Sequence, residues 1–274
     1  MSEPSPVAER LLDAARELSS ALATLSFPPP VAHVYDPLQY AWAPHAAYVR
    51  RYGASPKRVV LLGMNPGPYG MVQTGVPFGE VAAVRDWMGI AAPVARPALL
   101  HAKRPIDGFD CARSEVSGRR LWGWAARRFG TAASFFEGWF VLNWCPLALL
   151  EASGRNFTPD KLPAAQRRAV CELCDRHLAV ALEVLAPEWA IGVGAFAEKR
   201  LRTVTGDAMS QRGAHGIRIA QILHPSPASP AANRDWDGAV DRTLDALGVL
   251  PATAKASGLP GGGSTLAPRK DRTP

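Results

Sequence analysis

Three short apolar runs, at residues 59–62, 140–142 and 217–223, each lead straight into a loop of polar and rigid residues, and helical segments separate them. Runs this short and this apolar read as strands buried on both faces, which implies a largely parallel sheet covered by helices. Strands alternating with helices imply a doubly wound α/β chain with right-handed crossovers. The three loops are Gly63-Met64-Asn65-Pro66-Gly67-Pro68, Asn143-Trp144-Cys145-Pro146 and His224-Pro225-Ser226-Pro227. In an open α/β sheet, ligands bind beyond the carboxyl ends of the strands. Asn65, Asn143 and His224 are therefore expected around one pocket, although they are far apart in sequence. Two carboxamides and an imidazole suit a neutral, amide-like heterocycle and can stabilise negative charge developing on it.

The remaining segments complete a three-layer α/β/α architecture with a central, mainly parallel four-stranded sheet. Leu11, Leu12, Ala15, Leu18 and Leu22 give residues 7–25 a helical apolar face, and Phe27-Pro28-Pro29-Pro30 ends that helix. Tyr35, Tyr40 and Trp42 read as part of a loop, 80–90 as a helix, and 91–118 as a long surface excursion. Helix 121–129 precedes the strand at 139–142. Thr158 or Asp160 is expected to cap a helix after Pro159 whose stripe is Val170, Cys174, Leu178, Ala181 and Leu185. A strand at 189–193, a helix at 196–202, the last strand at 217–223 and a helix at 235–247 follow.

The sequence has 274 residues, 47% of them apolar and 20% charged, which suits one folded domain over residues 1–251. Residues 252–274, with Gly261-Gly262-Gly263-Ser264 and basic Arg269, Lys270 and Arg272, read as a disordered tail. No apolar run approaches the roughly 20 residues that span a bilayer. The N-terminus lacks an export pattern, so cytoplasm or nucleus is expected, with the four cysteines reduced. A net charge of +7 suits a polyanionic partner.

Individual motifs narrow the chemistry. Asn65-Pro66-Gly67-Pro68 follows a strand but lacks the Gly-Lys-Ser/Thr end of a phosphate-binding loop. Gly70, Gly75, Pro77 and Gly79 prolong that stiff segment around Phe78, whose ring could clamp a planar base. Cys171-Glu172-Leu173-Cys174 has no second ligand pair for zinc, so core packing is favoured, and Cys145 has no neighbouring base to make it a nucleophile. Neither metal nor cofactor is expected.

The chain closely resembles the single-strand-selective monofunctional uracil-DNA glycosylases, a branch of the uracil-DNA glycosylase superfamily. The resemblance is carried by residues 63–71, 73–81 and 114–118, by Asn143 with Cys145-Pro146-Leu147, and by His224-Pro225-Ser226-Pro227. Tyr40-Ala41-Trp42, Pro44-His45, Asn233 and Trp236 extend it from about residue 10 to 250. It implies an enzyme of base excision repair that flips uracil out of DNA and hydrolyses its N-glycosidic bond, without lyase chemistry. By motif position, Asn65 would place the attacking water, and His224 would stabilise the departing anion through hydrogen bonding and charge. Phe78 would stack on the pyrimidine, and Asn143 would read its O4–N3 edge, with Met64 and Gly67 completing the substrate pocket. Gly67 in place of a bulky residue would admit C5 substituents such as that of 5-hydroxymethyluracil.

DNA contacts are expected from Ser117, Gly118, Arg119 and the neighbouring Arg120, and from Pro225, Ser226, Pro227, Ala228, Ser229 and Arg234. Ala228 and Ser229 depart from the arginine and asparagine usual in vertebrate members, which weakens the expected grip on duplex DNA. The expected partner is uracil-containing or damaged DNA, single- or double-stranded, bound by a monomer with no membrane attachment. Two alternatives are a relative preferring deaminated purines and a non-catalytic binder of damaged DNA. The second makes no use of a water-positioning amide.

Overall fold

The computed structural model describes residues 4–210 and 216–250. In chain order the elements are α1 (Pro6–Leu22), β1 (Val31–Tyr35), α2 (Pro37–Tyr40), α3 (Trp42–Tyr52), β2 (Val59–Gly63) and α4 (Met71–Thr74). Next come α5 (Val116–Phe129), α6 (Ala132–Gly138), β3 (Trp139–Asn143), β4 (Ala148–Glu151) and β5 (Asn156–Phe157). The chain continues through α7 (Ala164–Leu185), β6 (Trp189–Val193), α8 (Ala195–Ser210), β7 (Arg218–Ile222) and α9 (Pro230–Ala246).

The central sheet has the order β3-β2-β6-β7, and every neighbouring pair is parallel. Every residue of β2 and of β6 is buried, as the continuous apolar runs require for strands covered on both faces. Register aligns Val59 with Trp139 and with Trp189, and Trp189 with Arg218. All four strands consequently end at one edge of the sheet, and the loops after Gly63, Asn143 and Ile222 leave from that edge together.

Helices form the outer layers. α1 packs on α7 and α7 on α8, while α5 contacts α6 and α9. Leu11, Leu12, Ala15, Leu18 and Leu22 are buried on α1, and Val170, Cys174, Leu178, Ala181 and Leu185 on α7, so both stripes face the core. Burial pushes the Cys174 thiol well above its ordinary pKa, which disfavours the thiolate that a metal or a nucleophilic role requires.

Several expectations are corrected. A second, antiparallel sheet with order β1-β4-β5 pairs Tyr35, read from the sequence as loop, with Ala148, and Leu149 with Phe157, in a stretch to which the sequence reading assigned no element. Its strands have five, four and two residues, too short for alternation to show. The helix expected over 80–90 is present but shorter, over 81–87, and wound wide at Ala83–Trp87. Helix α7 starts at Ala164 rather than after Pro159, and neither Thr158 nor Asp160 caps it. Helix α9 starts at Pro230, with the Ser229 hydroxyl accepting from the Ala232 N–H, and Asp235 interrupts it with non-helical backbone. The tail expected from residue 252 lies outside the described residues. Among the described residues, no helix is long and apolar enough to cross a membrane.

Gln73, fully buried, fastens the long excursion to the site. Its amide donates to the Pro68 and Pro105 carbonyls at 3.1 and 3.0 Å, and its oxygen accepts from the Asp107 and Gly108 N–H groups. His45, also buried, sits 2.9 Å from the Gly75 carbonyl, and burial lowers its pKa to about 4. Its folded pKa lies below its unfolded value of 6.5, so this stabilisation is present above pH 6.5 and is lost as pH falls toward 4. Urea midpoints are expected to drop across that window by the equivalent of up to roughly 3 kcal/mol. His177, whose pKa burial and the nearby His45 also lower to about 4, adds to the drop in the same window. His45→Gln should therefore reduce the drop, and the double variant His45→Gln/His177→Gln should flatten it; an equal acid loss in the double variant would assign it elsewhere.

Candidate active site

The loops after β2 and β3 are tied to each other before they reach the site. The Trp144 N–H donates to the Gly63 carbonyl and the Cys145 N–H to the Met64 carbonyl, both at 2.9 Å. This double tie continues the sheet register by two residues and fixes Asn65 relative to Asn143. Asn65 Nδ2 makes two long contacts, to the Leu147 and Pro66 carbonyls at 3.4 and 3.5 Å. Asn143 Nδ2 lies 3.3 Å from Met71 Sδ, a weak acceptor that a stronger one can displace.

Phe78 stands in the left-handed region with φ +53°, a conformation costly for a bulky residue and held only where its surroundings demand it. Its carbonyl accepts from the Trp122 indole at 2.9 Å and from the Glu80 N–H at 2.7 Å. The Thr74 hydroxyl donates to the Gly79 carbonyl at 2.9 Å and accepts from the Val76 N–H, which closes the turn on the other side. The strained turn aims the ring at the end of β2. There the absent side chain of Gly63 leaves the space: a Cβ would lie 2.6 Å from Phe78 Cε2 and would overlap Asn143 Oδ1.

His224 is oriented by its own loop. Nδ1 accepts the Ser226 N–H at 3.1 Å, so in the neutral ring the proton sits on Nε2 and is free to donate. Burial lowers the pKa of His224, which favours that neutral form. Arg120 holds the loop from α5, donating to the Pro225 and Ser226 carbonyls and to Asn233 Oδ1. Asn233 Nδ2 in turn donates to the Pro227 carbonyl, and the Trp236 indole to the Leu223 carbonyl.

These groups meet in one cavity of about 410 Å³. Met64, Asn65, Gly67, Phe78, Asn143 and His224 all line it, as do Ser117 and Ser226. The convergence expected from three distant strand ends is therefore present. Of the other residues expected at DNA, Arg119, Pro227, Ala228 and Arg234 are exposed. Pro225 is buried beneath the loop, and Ser229 spends its hydroxyl on the α9 cap. Gly118 is buried, and a Cβ there would overlap the Phe78 carbonyl, so it allows α5 to approach the strained turn rather than offering a surface amide. Arg120, read beforehand as a phosphate contact, is occupied with the His224 loop.

Three lining residues carried no functional role in the sequence reading: Glu115, Asn156 and Thr158, the last read only as a helix cap. Asn156 and Thr158 arrive through β5, which was not foreseen, and Glu115 stands in a motif that was noticed without a function. Glu115 is half-buried with Oε2 closed to solvent, and desolvation together with the nearby Glu80 charge raises its pKa to about 7 against the opposing Gly118 N–H.

The strand ends of a parallel sheet thus deliver two carboxamides, a phenyl ring and an imidazole to one cavity. The family model described as "Uracil DNA glycosylase superfamily" matches residues 50–247, and the chain belongs to that superfamily. Curated relatives include "Single-strand selective monofunctional uracil DNA glycosylase" of Bos taurus, 46% identical over 251 residues, covering 91% of this chain and 90% of that protein. The Mus musculus protein of the same name is 45% identical over 255 residues, covering 92% and 90%. Among solved structures, that of wild-type Pedobacter heparinus SMUG2 superposes with a TM-score of 0.62 at 18% identity, over 88% of this chain and 97% of that one. At that identity the likeness concerns the fold.

Proposed function

We propose that the chain is a monofunctional uracil-DNA glycosylase of base excision repair, hydrolysing the bond between uracil N1 and deoxyribose C1′ in DNA. The observation that carries this reading is the meeting of Asn65, Phe78, Asn143 and His224 in one cavity of about 410 Å³, a size typical of small-ligand sites. A base inside a duplex cannot reach such a cavity, so it must be everted, at a cost of a few kcal/mol that is smaller for unpaired bases.

Phe78 stacks on the everted ring, and Asn143 donates to O4 while accepting from N3–H. Cytosine presents the opposite pattern there and leaves buried groups unpaired, so it is rejected. His224 donates from Nε2 to O2, where negative charge accumulates as the C1′–N1 bond lengthens. Asn65 holds the water that adds to C1′. An amide takes up a proton poorly, so the bond to the base breaks ahead of water attack and the sugar passes through an oxocarbenium-like state. Anion stabilisation by His224 then supplies most of the chemistry. Gly67 leaves the C5 side of the base unblocked, so oxidised pyrimidines such as 5-hydroxymethyluracil are substrates too.

Around the cavity mouth, Ser117, Arg119 and Arg234 contact phosphates, and Pro227 and Ala228 face the gap left by the everted base. Alanine fills that gap poorly, so single strands are handled at least as well as duplexes. Affinity should fall with salt at about −0.7 in log units per neutralised phosphate on single strands.

A uracil-containing oligonucleotide incubated with the protein and then treated with alkali should break at the uracil, with a chelator present throughout. Intact strands after exhaustive incubation would leave the non-catalytic binder as the better reading. Asn65→Ala is expected to lose most turnover while retaining affinity for the oligonucleotide, whereas Asn143→Ala should narrow the preference for uracil over cytosine. Unimpaired turnover in Asn65→Ala would remove that residue from the water site.

A further inference from the structure

Tyr69 stands on the turn that follows Asn65, and two arginines from the long excursion converge on it. Arg104 Nη1 donates to the Tyr69 hydroxyl oxygen at 2.6 Å, and Arg113 Nη1 donates to the same oxygen. The two guanidinium carbons lie 5.3 and 5.1 Å from the centroid of the Tyr69 ring. Two cations that share one neutral oxygen repel each other, and an acid between them would relieve the repulsion. None does so here. Among the described residues neither arginine forms an ion pair, although Asp107 and Asp110 are close in sequence.

What remains at the cluster can only donate. Arg104 spends Nε on the Gly154 carbonyl and Nη1 also on the Lys103 carbonyl. Its Nη2, and Nε and Nη2 of Arg113, have no acceptor among the described residues. The Tyr69 oxygen accepts twice, which leaves its own proton to donate outward. Arg113 is exposed, Tyr69 and Arg104 are half-buried, and the exposed Lys103 adds charge of the same sign. A surface cluster of donors alone, with two guanidinium forks, fits an anion that offers several oxygens, as a phosphodiester does.

Its place beside the cavity says which phosphodiester. Gly67, Glu115 and Asn156 line the cavity. Tyr69 follows Gly67 closely in sequence, Arg113 shortly precedes Glu115, and Arg104 is tied to Gly154, just before Asn156. The cluster is thus the outward continuation of one stretch of the rim, while Pro227, Ala228 and Arg234 continue the rim from His224. Resting on the glycosylase reading, we propose that Tyr69, Arg104 and Arg113 form a binding site for a backbone phosphate of the strand flanking the everted nucleotide. The strand leaves an everted nucleotide in two directions, so holding the base inside calls for a grip on each flank. The His224 loop meets one flank and this cluster the other. The forks take the non-bridging oxygens whatever the base, so the contact positions the strand and reads no sequence. It also needs no complementary strand, which suits single-stranded DNA.

The test uses a single-stranded oligonucleotide with one 2′-fluoro-2′-deoxyuridine, whose electron-poor sugar resists cleavage. Binding to the full chain is followed by fluorescence anisotropy across a range of salt. Arg113 is exposed and its side chain makes one hydrogen bond, so Arg113→Gln leaves the fold intact. The variant is expected to bind about tenfold more weakly at low salt. Its slope of log affinity against log salt should be shallower by about 0.7. Arg113→Lys should restore the slope but only part of the affinity, because lysine presents no fork. Arg10→Gln, which deletes a charge paired with Glu183 near the end of α7 that leads into β6, should change neither. Methylphosphonates placed one at a time on both sides of the base then locate the contact. At one position the neutral linkage should weaken the parent about as much as Arg113→Gln does, and cost that variant nothing further. An unchanged slope in Arg113→Gln, or methylphosphonate losses identical in the two proteins at every position, would overturn the site. No excision of ordinary uracil by the parent would instead defeat the glycosylase reading, whatever the slopes show.

Discussion

His224→Ala is expected to slow uracil release about 10²–10³-fold, the usual cost of deleting one donor aimed at developing charge. Affinity for the uracil-containing strand should change far less, because a neutral Nε2–H gains most as O2 becomes anionic. The structure explains why this histidine is ready for the role. The Ser226 N–H occupies Nδ1 at 3.1 Å, and Arg120 and Asn233 brace the loop that carries it. Single-turnover rates under saturating enzyme separate chemistry from product release. A drop below tenfold, with the loop intact, would move the anion-stabilising role to another group.

Gly63→Ala is expected to be nearly as damaging, although Gly63 need not touch the substrate. Its carbonyl accepts the Trp144 N–H, and it pairs in register with Asn143, so the backbone cannot retreat. The added methyl carbon must instead displace the Phe78 ring, 2.6 Å away, and the Asn143 carboxamide, which it overlaps. Phe78 has little freedom to adjust, because Trp122 and Glu80 pin its backbone and φ is already +53°. Misplacing a recognition group by about 1 Å costs on the order of 10²-fold, and overpacking adds roughly 1–3 kcal/mol of destabilisation. Turnover on uracil should fall by about that factor, with discrimination against cytosine eroded and thermal unfolding still cooperative. Parent-like kinetics would mean that the ring and the amide do not share the base as proposed.

Much of this design could be read from the chain before any coordinates. Three central strands were legible because each is led by an unbroken apolar run. The edge strand Arg218–Ile222, interrupted by Arg218 and Gln221 and mostly not buried, showed itself only as a mixed run. The buried stripes of α1 and α7 were legible through helical spacing. The site was legible because strand-end loops in a parallel sheet must gather at one edge. What escaped depends on contacts between distant segments. β1, β4 and β5 exist only through mutual pairing, so Asn156 and Thr158 could not be placed. Gly63 looked like an ordinary strand end until Phe78 and Asn143 were seen to crowd it. Glu115 could be seen in its motif, but not the room that Gly67, Gly70 and Gly118 leave for it. Arg120 offered a charge that suggested phosphate, while its partners are the carbonyls of the His224 loop.

The core of the proposal is that the base departs as an anion held by His224, and leaving-group acidity tests it most directly. Single-turnover excision of uracil and of 5-fluorouracil, whose anion is intrinsically more stable, should be compared in the parent chain and in His224→Ala. The fluorinated base is expected to recover much of the rate lost by the variant, so that His224→Ala depends more steeply on leaving-group acidity than the parent does. An identical fold loss for the two bases would contradict an anionic departure stabilised at this residue.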